Sequence, residues 1–151
     1  MKLQIASQLA IFAVLQLAAH EDEQLSVSEI GTKFGVSNHH LAKVMHVLGR
    51  ADLVRSTRGA GGGYQFIGNP RRTTLLDIVE LFENLGPHSP DVEGPGDATG
   101  EGRALREVLA EIDDIARATL GSITIATMLK LVERRTAESP DSLKPAAMAK
   151  V

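Results

Sequence analysis

At 151 residues the chain can bury one ordinary hydrophobic core with a helical appendage, and it is cramped for two independent domains. It contains no cysteine, which removes disulfides, thiolate metal ligands and thiol redox switching together and suits a reducing, cytoplasmic setting. The net charge of −3 divides unevenly: Ser37–Arg72 carries six Lys and Arg against Asp52 alone, whereas Thr73–Val151 carries eight against fourteen Asp and Glu, so a basic first half is set against an acidic second half.

The longest apolar stretch, Leu9 to Ala19 across Gln16, is 11 residues, short of the roughly 18–20 that cross a bilayer, and it runs on into His20-Glu21-Asp22, so no membrane association is expected. Leu3–Ala19 has apolar side chains on nearly every face and no Gly or Pro, which predicts a first helix buried on two sides. Ser26-Val27-Ser28-Glu29 has the spacing of a capping box and opens a short helix with Val27, Ile30 and Phe34 inward, ended by Gly35. Ser37 caps a further helix whose Leu41, Val44, Met45 and Leu48 fall at i, i+3, i+4 and i+7, before Gly49 weakens it. Two helices joined by so tight a turn predict a helix-turn-helix.

Leu53–Thr57 and Tyr64–Ile67 read as two short strands joined by Arg58-Gly59-Ala60-Gly61-Gly62-Gly63, a turn suited to positive φ angles, with Tyr64 and Phe66 rooting the hairpin in the core. Thr74 starts a helix with Leu75, Ile78, Val79 and Phe82 on one face, ended by Gly86-Pro87. Residues 86–102 hold five Gly, three Pro and four acids among 17 residues, a composition that predicts a mobile loop. From Arg103 to Leu120, the positions Leu105, Val108, Leu109, Ile112, Ala116 and Leu120 give an amphipathic helix of near-heptad spacing, suited to pairing with a second copy. Gly121 then interrupts. Thr124 caps a last helix with Ile125, Met128, Leu129 and Val132 inward, and Ala137–Val151 reads as a frayed tail.

Asn38, His39, Ala42, Lys43 and His46, with Arg50 beyond, stand opposite the apolar stripe of the second motif helix and offer hydrogen-bonding groups to base edges and phosphates. A solvated helix face has the same composition, and the hairpin that follows tips the balance: Arg58 with four glycines in the next five residues puts a guanidinium on a slim tip that can enter a minor groove. A nucleotide-cradling glycine loop would lead into a helix and carry a placed Lys or Ser/Thr, which Tyr64-Gln65-Phe66 does not supply. No nucleophile elbow, HExxH or catalytic carboxylate pair is present, and Asp113-Asp114 are neighbours that point apart on the long helix, so no enzymatic activity is expected.

Met1-Lys2-Leu3, the stretch Val36-Ser37-Asn38-His39-His40-Leu41-Ala42-Lys43-Val44, the wing from Val54 to Tyr64, and Thr74-Leu75-Leu76-Asp77-Ile78-Val79 resemble the Rrf2 family of bacterial winged-helix repressors. The likeness extends over about Met1–Arg135, with Arg103-Ala104-Leu105 and Thr124-Ile125-Ala126 where that family has its dimer helix and the cap of its last helix. It implies a mainly α fold with a small β-hairpin: a winged helix-turn-helix domain over 1–85, a flexible loop over 86–102, dimerisation helices over 103–136 and a disordered tail over 137–151. It further implies a homodimer on duplex DNA, at a partly palindromic operator overlapping a promoter. The expected DNA contacts are Ser37, Asn38, His39, His40, Lys43, His46 and Arg50 from the helix, and Arg58, Gly59, Gly61 and Gly62 from the wing. The expected dimer residues are Leu105, Val108, Leu109, Ile112 and Ala116.

The chain departs from the family where cluster-binding members place three cysteines. Its loop offers His88, Asp91, Glu93 and Asp97, and Gln8 stands at the position of an acid in the first helix, so a cysteine-ligated iron–sulfur cluster is excluded by composition and no cofactor or metal is expected. A small-molecule or protein effector acting through the 86–102 loop, control by abundance without an effector, and an interaction module that sequesters a related regulator all stay open.

Overall fold

A computed structural model describes residues 1–86 and 94–138. In chain order the elements are α1 (Ile5–Ala19), α2 (Val27–Phe34), α3 (Asn38–Arg50), β1 (Val54–Thr57), β2 (Gly63–Phe66), α4 (Leu75–Val79), α5 (Gly100–Ser122) and α6 (Ile125–Glu138). The fold is mainly helical with one antiparallel two-stranded hairpin, as expected.

Helix α1 is the axis of the core because it is apolar all round. Leu9, Ala10, Ile11, Ala13, Val14, Leu15, Leu17 and Ala18 are all buried, and the helix packs against α2, α3, β2, α4 and α6. The one buried polar group on it, Ser7, donates its hydroxyl to Glu83 Oε1 at 2.5 Å, so the burial leaves no unmet hydrogen bond. Helix α3 presents Leu41, Val44, Met45 and Leu48 to this core, which is the expected stripe. Helix α2 opens on the capping box read from the sequence, with Glu29 N–H donating to Ser26 Oγ and Ser26 N–H to Glu29 Oε2. It ends on Gly35 in the left-handed region, φ 66°.

The hairpin pairs Val54 with Phe66, Arg55 with Gln65, Ser56 with Tyr64 and Thr57 with Gly63. A third segment completes the wing: Leu25 and Tyr64 exchange both backbone hydrogen bonds, at 3.0 and 2.8 Å. A side chain at Gly63 would strike the Leu25 backbone, so the glycine is what admits this pairing.

Five expectations about the second half need correction. Gly100–Gly102, expected in the loop, form the first turn of α5, because the Thr99 hydroxyl accepts the Gly102 N–H and caps the helix there. Gly121 does not interrupt α5, which runs on to Ser122, and it lies against Leu76, in ordinary van der Waals range of where a Cβ would stand. Helix α4 is short, closing at Val79, and Phe82 follows it in a turn rather than on its face. In α6 only Ile125 is fully buried, Met128 and Leu129 pack at the core's edge, and Val132, expected inward, is 46% exposed because the helix has by then left the body. Ala137 and Glu138, expected in the tail, are the last residues of α6; the rest of that tail, with His88, Asp91 and Glu93, lies outside the described residues.

The junction of α5 and α6 is fastened to the first half through backbone. Leu75 N–H donates to Ile123 O, Ile125 N–H to Thr73 O and Ala126 N–H to Pro70 O, at 2.8–2.9 Å. Arg117 adds an ion pair to Glu80 at 2.6 Å. Upstream of this fastening α5 stands clear: Leu105, Val108, Ile112 and Ile115 are 54–60% exposed and Leu109 is 38% exposed.

Candidate nucleic-acid interface

The helix-turn-helix is closed by a glycine that sequence reasoning passed over. Gly31 lies buried in α2, and a Cβ there would come within 2.9 Å of both Asn38 Oδ1 and the Val36 carbonyl. The missing side chain lets the turn fold back, and Val36 N–H donates to Gly31 O at 3.0 Å. Only the helical periodicity of α2 was visible in the sequence; the close approach of the turn is a tertiary fact with no local signature.

Ser37 then starts α3 as its N-cap, accepting the His40 N–H at 3.3 Å, with its hydroxyl 3.0 Å from His40 Nδ1. With the core stripe facing inward, the 3.6-residue period sets His39, Lys43, His46 and Arg50 in one row on the opposite face, and all four are exposed. Asn38 is exposed beside the helix start. His40 departs from this group: although exposed, it lines a cleft toward α1 together with Lys43.

Past α3 the chain turns on Asp52, the one acid of the basic stretch, which holds a left-handed φ of 56° while Leu53 N–H reaches back to Leu48 O at 3.1 Å. That turn sends β1 alongside α3, and the helix and the hairpin enclose an open groove lined by His46, Arg50, Asp52, Arg55, Ser56 and Tyr64 among others. Arg55 was counted in the charge of this region and not among its contacts; the strand register, which sequence reasoning did not fix, brings it to the groove. At the far end of the hairpin Gly59 and Gly61 take φ of 102° and 74°, and a side chain at Gly62 would collide with the Thr57 carbonyl. The glycines thus make a turn narrow enough to leave Arg58 exposed at the tip.

An exposed row of imidazole, ammonium and guanidinium groups on one helix, beside a slim arm ending in a guanidinium, offers cations at two separated heights. A duplex presents phosphates and acceptor-rich base edges in that form: a helix fits the major groove, about 12 Å wide, and a thin cationic tip fits the narrower minor groove.

The Gln8 amide donates to the Leu3 carbonyl at 2.9 Å and offers no anionic ligand. Asp97 accepts the Gly94 N–H and pairs with Arg106 at 3.2 Å. Among the described residues no three His, Cys, Asp or Glu stand together as a metal site, and the chain has no thiolate, so these residues do not fit an iron–sulfur cluster. No helix among them is long and apolar enough to cross a membrane.

Comparison with known proteins agrees with this geometry. The family model described as Rrf2, iron-dependent transcriptional regulator, matches residues 3–131. A protein of Rhodopseudomonas palustris named as an HTH-type transcriptional regulator, BadM, is 46% identical over 144 residues, covering 93% of this chain and 91% of its own. The HTH-type transcriptional regulator CymR of Bacillus subtilis is 33% identical over 126 residues, 83% of this chain and 87% of its own. Among solved structures, the IscR of T. potens superposes with a TM-score of 0.72 at 27% identity, over 100% of this chain and 94% of that one. CymR of B. subtilis, the global cysteine regulator, gives 0.72 at 26% identity over 87% and 98%. A winged helix with this exposed cationic row, matched to regulators along nearly its whole length, is no enzyme: the chain belongs to the Rrf2 family of transcriptional regulators.

Proposed function

We propose that the protein is a homodimeric repressor that binds a partly palindromic operator and represses by occluding polymerase, without an iron–sulfur cluster. One observation carries the reading: α5 leaves Leu105, Val108, Leu109, Ile112 and Ile115 in solvent on a helix whose far end is fastened to the DNA-binding half. An apolar stripe of that length at near-heptad spacing is covered most simply by the same stripe of a second chain. Two heads related by a two-fold axis then place their α3 helices in successive major grooves, about 34–36 Å apart, which calls for an operator of matching symmetry. In this reading Ser37, Asn38, His39, Lys43, His46, Arg50 and Arg55 serve the major groove and its backbone, Arg58 serves the minor groove, Gly59, Gly61 and Gly62 shape the tip, and Ala116 joins the dimer seam.

The test is selection of operators from a random duplex library, followed by fluorescence anisotropy across a salt series. The expected result is an enriched palindrome bound by two chains, with log affinity falling by about 0.9 per phosphate contacted for each unit of log salt. No enrichment from a folded dimer at low salt would contradict it.

A further inference from the structure

Between the start of α1 and the outer flank of α3 lies a cleft of about 370 Å³ that the DNA-binding reading does not use. Its walls are apolar: Ile5, Ala6 and Leu9 from α1, Val44 and Val47 from α3, and Phe82 from the turn after α4. Its only charged or titratable lining groups are Lys43 and His40. The two acids flanking Phe82 are engaged elsewhere, Glu83 with the Gln4 N–H and the Ser7 hydroxyl and Glu80 with Arg117. Among the described residues Lys43 forms no ion pair. An apolar cleft of metabolite size with the Lys43 ammonium and a His40 imidazole at one side is complementary to a molecule with an apolar body and one anionic group.

We propose that this cleft binds a small apolar carboxylate, and that the ligand weakens DNA binding by engaging Lys43. The proposal rests on the DNA-binding reading for its consequence and on the cleft alone for its chemistry. Lys43 belongs to both surfaces, lining the cleft and standing in the outward row of α3, so its ammonium cannot serve a ligand carboxylate and a backbone phosphate at full strength together. Linkage makes the effect reciprocal: DNA weakens the carboxylate by the factor by which the carboxylate weakens DNA.

The experiment uses three probes of one shape, hexanoate, hexanol and hexylammonium, titrated into the ¹⁵N-labelled full chain without DNA. Hexanoate is expected to shift the Ala6, Val44 and Val47 amides saturably and to bind about ten-fold tighter than hexanol, with hexylammonium weakest. Ile5 is 75% exposed, so a charge there does not threaten folding. Ile5→Glu is expected to weaken hexanoate about five-fold or more, and Ile5→Lys to tighten it. With operator present, saturating hexanoate is expected to weaken wild-type binding about three- to ten-fold and to lower the salt slope by about one phosphate contact per head. Equal binding of hexanoate and hexanol, shifts centred elsewhere, or indifference to Ile5→Glu would overturn the proposal, as would cleft amides that respond to protein concentration and not to hexanoate, since the occupant is then a second copy. Because the probe titration needs no DNA, operator binding without hexanoate binding sinks this proposal alone, whereas hexanoate binding without operator binding sinks the repressor reading and leaves the cleft standing.

Discussion

The winged head and helix α5 spend the same kind of residue in opposite ways. In the head Val14, Leu17, Leu41, Met45, Leu48 and Ile78 are at most 1% exposed, every one covered by its own chain. On α5 five residues equally apolar lie open. Burial of a Leu or Ile side chain contributes about 1.5–3 kcal/mol, so the head holds its stability internally while α5 has a comparable gain still to collect from association. If the proposed dimer holds, folding and assembly are separable: damage to the head is expected at any protein concentration, and damage to α5 through partner and DNA.

The sharpest way to break that comparison is a pair of substitutions. Leu48→Ala, at a fully buried site facing α1, is expected to cost about 2–5 kcal/mol in chemical denaturation, independent of protein concentration. Ile112→Glu, at a site 55% exposed within the chain, is expected to leave the far-ultraviolet spectrum of the head unchanged and to lower operator affinity about a hundred-fold, because two linked heads become one. A third test works inside the proposed DNA-facing surface: Arg58→Ala at the wing tip is expected to weaken operator binding about five- to twenty-fold and reduce the salt slope by about one contact per head, without moving the melting temperature.

The smallest effects sharpen the picture of the head. Asp52→Gly removes a side chain from a left-handed turn and the one acid from the basic stretch; it is expected to raise stability by about 0.5–1 kcal/mol and to tighten DNA binding slightly. Glu29 accepts the Ser26 backbone N–H at 2.6 Å, and that bond, aided by the Ser26 hydroxyl, holds its pKa below 4.5. A carboxylate with a lowered folded-state pKa contributes its stability above the ordinary value and loses it as pH falls through the folded one. The melting difference between wild type and Glu29→Gln is therefore expected at pH 7 and to vanish on acidification below the Glu29 pKa.

Those elements that carry their own local chemistry were legible in the sequence. The Ser26–Glu29 box, Gly35, the stripe Leu41, Val44, Met45 and Leu48, and the glycine-rich turn after Arg58 each state a helix start, a stop, a buried face or a tip within a few residues. What sequence reading missed depends on residues far apart in the chain. Leu25 pairs with Tyr64 as a single bridge, too short to show alternation. Gly121 has the composition of a break and stays helical, lying against Leu76 from far back in the chain. Gly31 passes as an ordinary helix residue until the turn at Val36 closes over it. Val132 keeps the spacing of α6 after the helix has run out of core to face. On the proposed DNA-facing surface, the helix period alone placed His39, Lys43, His46 and Arg50 together, whereas Arg55 needed the strand register and His40 needed the position of α1.

The central claim, that α5 is a surface awaiting a second copy and the head is complete without one, is tested most directly by sedimentation equilibrium of wild type and Ile112→Glu over a range of concentrations, with circular dichroism on the same samples. The account predicts a wild-type dimer and a variant that sediments as a monomer with the head's helical signal intact. A wild type that stays monomeric throughout, or a variant that stays dimeric, would contradict it.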